Sequence, residues 1–492
     1  MRAAIRMRGP GSAVAGLLAS VVAAAAQTGT LGLHPDNPHY FLWRGRPTVL
    51  ITSAEHYGAV LNADFDTAKY LDALARDGLN LTRTFTGAAY LEPPGAFNIA
   101  CNTLAPAPGR FIGPWARSDQ PGAADGGNKH DLDRWNDAYF ARFRDFAAQA
   151  SKRGIVIEVN LFCPFYGEEQ WRLSPFNAAN NVNGLGGILR TNVYTLDKHG
   201  GLLAVQERFV RKIVDELRTF DNIFYEICNE PYFGGVTLDW QHHIAGVIAD
   251  AQKGHPCPKL IAQNIANGSA RVRDPHPSVS ILNFHYAYPP SAVAENDALN
   301  RVIGENETGF RGQRDEVYRV EAWDFLIAGG GLFNNLDYSF AVGYEDGTFT
   351  YPPKQPGGGG AAYRRQLKVL CGFINGFDFV KMRPADELVR GGRGQDVSIR
   401  VLAEPGRQYA VYIHNSPASV WKDKTTLNTG DFQTSFSLEV PAAAYRAEWI
   451  EPATGNALSA ETKTHAGGAL ALASPRYTQD VALRLKVQEA PR

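Results

Sequence analysis

The sequence is poor in cysteine and methionine and carries almost no net charge. Its five cysteines (Cys101, Cys163, Cys228, Cys257 and Cys371) form no C-x-x-C pair, and their odd number leaves at least one thiol free. Neither a zinc site nor a disulfide framework is expected from that pattern. H-E-x-x-H is absent and no cluster of His and Asp has ligand spacing, so no metal, no cofactor and no metallopeptidase chemistry are expected. A formal net charge of −1 gives no electrostatic case for nucleic acid or a membrane surface as partner. No Gly-rich phosphate loop follows the first predicted strand, and the run Gly357 to Gly360 lacks the Lys-Ser/Thr that would make it one. Long apolar runs are missing except near the start. There, Arg2, Arg6 and Arg8 precede an apolar stretch at 13–22 and small residues at 23–26. That order predicts a signal peptide over 1–26 and a secreted or periplasmic location.

What the chain does have is length and rhythm. Its 492 residues exceed one ordinary domain and suit a large barrel followed by a smaller module. Over 30–384, apolar strand patterns alternate with amphipathic helices. A small hairpin at 34–50 leads in. Strands are predicted at 48–53, 79–85, 155–162, around 223–228, at 260–263, 279–285, 301–307 and 331–340. Helices are predicted at 64–76, 131–153, 203–220, 240–251, 315–328 and 361–374. Eight strands alternating with helices predict a (β/α)8 barrel; an open α/β sheet is the competing architecture, and the missing phosphate loop argues against it. The Pro/Gly-rich segment 86–129 reads as a long functional loop. Over 388–492 the texture changes to short alternating strands separated by turns such as Glu404-Pro405-Gly406, which predicts an all-β sandwich.

The most informative stretch is N-I-F-Y-E-I-C-N-E-P-Y-F at 222–233. Its apolar run is a buried strand, and Pro231 stops it because proline has no N–H for the ladder. That leaves Asn229 and Glu230 at the carboxyl end of the fourth strand, where barrel enzymes keep their catalytic groups. Glu307, followed by Thr308 and Gly309, ends the seventh strand. Glu305 lies two positions earlier, and strand alternation lets both face the same way, so Glu305 stays open as an alternative. Arg83 sits in N-L-T-R on strand two, and His285 and Tyr286 end strand six.

With these residues in hand, the chain resembles the retaining (β/α)8 glycoside hydrolases, the superfamily that includes the family 5 cellulases, over roughly 40–380. The resemblance implies Glu230 as acid/base, Glu307 as nucleophile, and Asn229, Arg83, His285 and Tyr286 around the reacting sugar. It implies double displacement on a β-glycosidic bond of an oligo- or polysaccharide. His56 after strand one, and Trp115 and Trp171 on predicted loops, are further candidates for substrate contact. Strand eight departs from the superfamily pattern: it offers Asn334, Asn335, Asp337 and Tyr338 where a sugar-stacking Trp is usual. A barrel that binds carbohydrate without cleaving it is the competing function.

Overall fold

The computed structural model describes residues 29–394, 396–416 and 427–488; the predicted signal peptide lies outside them. Its centre is an eight-stranded parallel sheet of β1 (Leu50–Ala54), β2 (Leu81–Phe85), β3 (Val156–Phe162), β4 (Ile223–Cys228), β5 (Ile261–Asn267), β6 (Ile281–His285), β7 (Val302–Glu307) and β8 (Leu332–Leu336). From β2 to β8 each strand is hydrogen-bonded to the next, and β8 pairs with β1. Asn80 closes the seam between β1 and β2. Its side-chain oxygen accepts from the Ile51 N–H at 2.8 Å, its amide donates to the Val49 carbonyl at 2.8 Å, and its own N–H donates to the Ile51 carbonyl.

Outside lie α1 (Thr67–Arg76), α2 (Asp137–Lys152), α3 (Leu202–Glu216), α4 (Leu238–Ala251), the short α5 (Ser291–Asn296), α6 (Asp315–Ile327) and α7 (Ala361–Asn375). Among the described residues no helix separates β5 from β6. The predicted (β/α)8 barrel is therefore the fold, and the open sheet is not.

Strand alternation builds the interior in layers. At the amino end, Leu50, Leu81, Val156, Phe224, Ile281, Val302 and Leu332 form one apolar cluster. A three-stranded sheet (Gly32–Leu33, Phe41–Trp43, Arg46–Thr48) plugs that end, with Phe41 stacked on Phe224. Two residues further along each strand the interior turns polar: Arg83, Glu158, Glu226 and Asn283 are all fully buried. Gly304 on β7 leaves room for them, since a Cβ there would lie 2.4 Å from Asn283 Oδ1. Two residues further again stand Phe85, Asn160, Cys228 and His285. With the amino end plugged, the open face is the carboxyl end.

The segment expected to be one long loop holds a hairpin, Trp115–Pro121 with Asn128–Trp135. Trp115 stacks on Trp135 across it, centroids 4.9 Å apart. That pairing claims Asp131 to Trp135 for a strand, so the helix expected from 131 begins only at Asp137.

The C-terminal part is antiparallel. One sheet contains Arg383–Pro384, Ser398–Glu404, Gln408–His414, Asp480–Val487, Ala443–Ile450 and Ala457–His465; a second contains Val389–Arg390, Ser435–Val440 and Gly468–Ala473. Val411, Leu438, Ala447 and Leu483 help fill the core between them. The sandwich packs on α6, whose residues Val317 to Ile327 are all buried. That helix carries Arg319 and Asp324 into the contact, where they pair with Asp480 at 2.8 Å and Arg400 at 2.9 Å.

Candidate active site

The ends of seven strands and the loops that follow them converge on a cavity of about 320 Å3 at the carboxyl face. Glu230 follows β4 and Glu307 closes β7; they are 8% and 7% exposed. Both meet the buried imidazole of His285 at the end of β6. His285 Nδ1 is 3.2 Å from Glu230 Oε1 and 3.4 Å from Glu307 Oε1. One oxygen of each carboxylate and a ring nitrogen of His285 all lie within 4.8 Å of one another.

Glu307 sits among donors. Tyr57 O–H donates to its Oε2 and Tyr286 O–H to its Oε1, both at 3.1 Å, and Arg83 Nη1 is 3.5 Å from Oε2. Burial alone would raise its pKa, but the His285 charge and hydrogen bond, then Arg83, reverse that and hold the carboxyl at about 2. His285 shows the converse. Burial pulls the imidazole down, and its orphaned Nε2 also disfavours charge. The two carboxylates outweigh both and raise it to about 9.

Below them, Arg83 Nη2 donates to Glu226 and, at 2.7 Å, to Asn229 Oδ1. Because Arg83 takes the Asn229 oxygen, the amide nitrogen is fixed on the other side, where it donates to Tyr166 O–H at 2.8 Å. Tyr166 O–H in turn donates to Glu230 Oε2. Glu158 and Glu226 share the side-chain amides of Asn283 and Asn306. Burial and then Glu226 push Glu158 well up, so it carries a proton. Glu226 is held below its usual value: burial works against ionisation and Arg83 more than offsets it. Arg83 thus faces Glu226, and His285 faces Glu307, across the buried site.

Glu305 is not in the cavity. Alternation would place it beside Glu307, but the β6–β7 register slips: Phe284 is opposite Glu305 and His285 is opposite Glu307. This bulge turns both Asn306 and Glu307 inward. Glu305 points outward, where its Oε1 accepts from the Ala287 N–H at 3.0 Å. Burial and Glu321 raise its pKa well above the usual range.

His56 lines the cavity as expected, its ring 5.4 Å from that of Tyr338. Trp115 and Trp171 do not. Trp115 is 1% exposed, packed by Trp135, Phe176 and Phe209, with its indole N–H donating to the Ala88 carbonyl at 2.8 Å. Trp171 packs edge-on against Phe165. Both anchor loops from beneath. Of the strand-eight residues, Asp337 pairs with Arg364 at 2.7 Å and Asn334 donates to the Asn306 carbonyl at 2.9 Å, away from the cavity.

Sequence reasoning missed Tyr57, Glu92, Tyr166 and Glu226. Glu226 was findable: it lies two positions before Cys228 in an apolar strand, in the alternation phase of Arg83. Tyr57 leaves its strand in a left-handed conformation, φ 67°, as do Glu230 (36°) and Tyr286 (51°). Non-glycine residues avoid that region unless the surroundings enforce it, and no pattern announces it.

Glu230, His285 and Glu307 are also the three described groups close enough to share a metal ion. His285 Nδ1 already lies between the two carboxylates, so a divalent cation would have to displace that contact.

No family model and no curated protein matches the chain. Solved structures do. A chain from Bacteroides vulgatus ATCC 8482, provisionally described as a glycoside hydrolase, superposes with a TM-score of 0.63 at 14% identity over 94% of this chain and 82% of that one. The fold is shared. A second structure, described as a glycoside hydrolase, gives 0.60 at 13% identity over 94% and 98%. A family 5 glycoside hydrolase from the same Bacteroides strain gives 0.59 at 13% identity over 94% of each chain. Barrel and sandwich are therefore both parts of a known architecture.

The opposed shifts of Glu307 and His285 predict a pH profile of stability. Glu307 is depressed from 4.5 to about 2, so its contribution is full above pH 4.5 and lost as pH falls toward 2. His285 is raised from 6.5 to about 9, so its contribution is full below pH 6.5 and lost as pH rises through 9. The thermal midpoint is expected to lose height on both sides of that window. In Glu307→Gln the alkaline loss through pH 9 should shrink, because the imidazolium has one carboxylate partner fewer. Differential scanning fluorimetry across pH 3 to 10 reads both.

Proposed function

We propose that this protein is a retaining β-glycoside hydrolase. The observation that carries the reading is the pair of carboxylates held on one imidazole. Retaining enzymes keep their two carboxyls roughly 5–5.5 Å apart and inverting ones about 6.5–9.5 Å; oxygens within 4.8 Å of each other fit the first. The shared fold supports the reading, and so does the presence of glycoside hydrolases among the similar structures.

In the first step, protonated Glu230 gives its proton to the glycosidic oxygen while ionised Glu307 attacks the anomeric carbon. The aglycone leaves, and a glycosyl ester forms on Glu307. Tyr57, Tyr286 and Arg83 hold the attacking carboxylate in place before reaction, so little reorganisation is needed. Asn229 lines the cavity with its amide held by Arg83, Tyr166 and Cys163, within the reach of the sugar's 2-hydroxyl. Esterification removes the negative charge at 307, and Glu230, having given up its proton, is free to act as base. Glu230 then takes a proton from water, which attacks the ester from the face the aglycone vacated. Two inversions give net retention. The predicted signal peptide supports an activity outside the cytoplasm.

The test is hydrolysis of a panel of aryl β-glycosides and β-linked oligosaccharides. Wild type should cleave at least one. Glu230→Ala should lose about 10²- to 10⁴-fold, least with the best leaving groups, because general acid help matters less there. Glu305→Gln should stay within about tenfold of wild type, as a group outside the cavity must. Binding of a glycan with no turnover across the panel favours the binding-protein reading instead.

A further inference from the structure

The cavity is roofed on one side only. The segment after β2 rises to Phe97, whose ring lies 5.5 Å from Tyr166 in the β3 loop and 6.3 Å from Phe310 in the β7 loop. β3 and β7 are diametrically opposed in an eight-stranded barrel, so Phe97 spans the mouth. The arch is built from backbone in the left-handed region at Gly95 (78°), Phe97 (53°) and Asn98 (60°). Past its crest it is tied to the β8 loop: Asn98 Nδ2 donates to the Lys354 carbonyl at 2.7 Å, and Ala100 N–H to Gln355 Oε1 at 2.8 Å. The side of the barrel formed by β8, β1 and β2 is thereby walled off. The opposite side is open, with Tyr232 and Phe233 37% and 43% exposed beside Glu230.

Two polar groups face the closed end. His56 is 8% exposed, and neither ring nitrogen has a hydrogen-bond partner; Nε2 is 3.7 Å from Glu92 Oε2. Glu92 is 4% exposed and held by Tyr90 O–H at 2.9 Å and by the Asn102 amide. A buried imidazole with no partner is costly unless something fills the gap. A carboxylate with both oxygens already positioned beside it makes a rigid pair that can grip neighbouring hydroxyls.

We propose that the site is a dead-end pocket for the single terminal sugar of a chain, with His56 and Glu92 holding adjacent hydroxyls of that sugar, and that the enzyme therefore acts from the non-reducing end. The inference rests on the hydrolase reading and specifies it. Glu230, the proton donor to the leaving group, stands on the open side, so the aglycone leaves there and the glycone occupies the walled end. A volume of about 320 Å3 is at the small end of the roughly 300–1,000 Å3 of ligand sites, which suits one terminal sugar better than a long segment of polymer.

The test uses β-linked gluco-, manno-, xylo- and galacto-tetrasaccharides labelled at the reducing end, each free and with its non-reducing terminal hydroxyls methylated. The expected first labelled product from a free tetramer is the trimer, with its capped counterpart cut at least about 100-fold more slowly, since a pocket fitted to hydroxyls rejects what cannot satisfy them. His56→Ala and Glu92→Gln should each raise KM for the free tetramer about tenfold or more, with a smaller change in kcat. Phe97→Ala, at an exposed position that folding tolerates, should raise the capped-to-free rate ratio about tenfold by opening the roof. Capped tetramers cut internally at rates near the free ones would overturn the dead-end pocket while leaving the hydrolase reading intact. No cleavage of either form, here or on aryl glycosides, overturns the hydrolase reading and this inference with it.

Discussion

Glu307→Ala is expected to lower kcat by about 10⁴- to 10⁶-fold, the scale on which removing a covalent nucleophile acts. The loss should be chemical and not a failure to fold. Glu307 is one of two anionic partners of His285 and a distant one of Arg83, which keeps Glu226. Removing it takes one negative charge from beside His285 and Arg83 and leaves a void the size of a carboxylate, lined by the hydroxyls of Tyr57 and Tyr286. A small anion suits that void in both shape and charge. Azide should therefore restore turnover on an aryl β-glycoside and yield a glycosyl azide of inverted configuration, because only one displacement occurs. Product analysis by mass and anomeric coupling checks this. Rescue of Glu230→Ala with inverted configuration and of Glu307→Ala with retained configuration would mean the two roles are exchanged.

Arg83→Met is expected to have the largest effect on stability. The guanidinium is fully buried and stacks 4.6 Å from the centroid of the Tyr57 ring. It pairs with Glu226, lies 3.8 Å from Glu158 and 3.5 Å from Glu307, and fixes the Asn229 amide. Methionine replaces the volume and leaves Glu226 ionised in the barrel interior without its partner. Breaking one side of a buried pair costs about 3–5 kcal/mol. Activity should fall too, since Asn229 loses the bond that orients it. Adding Glu226→Gln removes the stranded charge, so the double variant should recover part of the stability that Arg83→Met loses. Chemical denaturation of the four proteins in the cycle measures the coupling. Additive losses would show that Arg83 and Glu226 are not coupled.

The barrel was readable because its strands are short apolar runs and its helices are amphipathic, and those two periods survive in the sequence whatever the loops do. All eight strands of the sheet appear where the patterns put them, to within a few residues. The two acids of the candidate site were readable for a related reason: a carboxylate next to a strand-ending proline, or shortly before a glycine, has few structural uses. Where the reading failed, tertiary context had overridden a local signal. Asp131 to Trp135 looks like the start of a helix, and the ring of Trp115 recruits it into a hairpin. Trp115 and Trp171 look like surface aromatics because loops surround them, yet both are packed underneath. Strand alternation could not separate Glu305 from Glu307, since the bulge that does so depends on register with β6. Tyr57 and Tyr166 lie outside the strands, and the arch at Phe97 depends on hydrogen bonds to a loop more than 250 positions away.

The central claim is double displacement by Glu230 and Glu307, and the anomeric configuration of the first product tests it most directly. Wild-type enzyme is mixed with an aryl β-glycoside it cleaves, and proton NMR follows the anomeric signals from the first seconds, before mutarotation. The account predicts that the β-anomer of the released sugar appears first and the α-anomer only later, as the sugar equilibrates. Initial appearance of the α-anomer would mean a single displacement by water and would contradict the assignment of Glu307 as nucleophile.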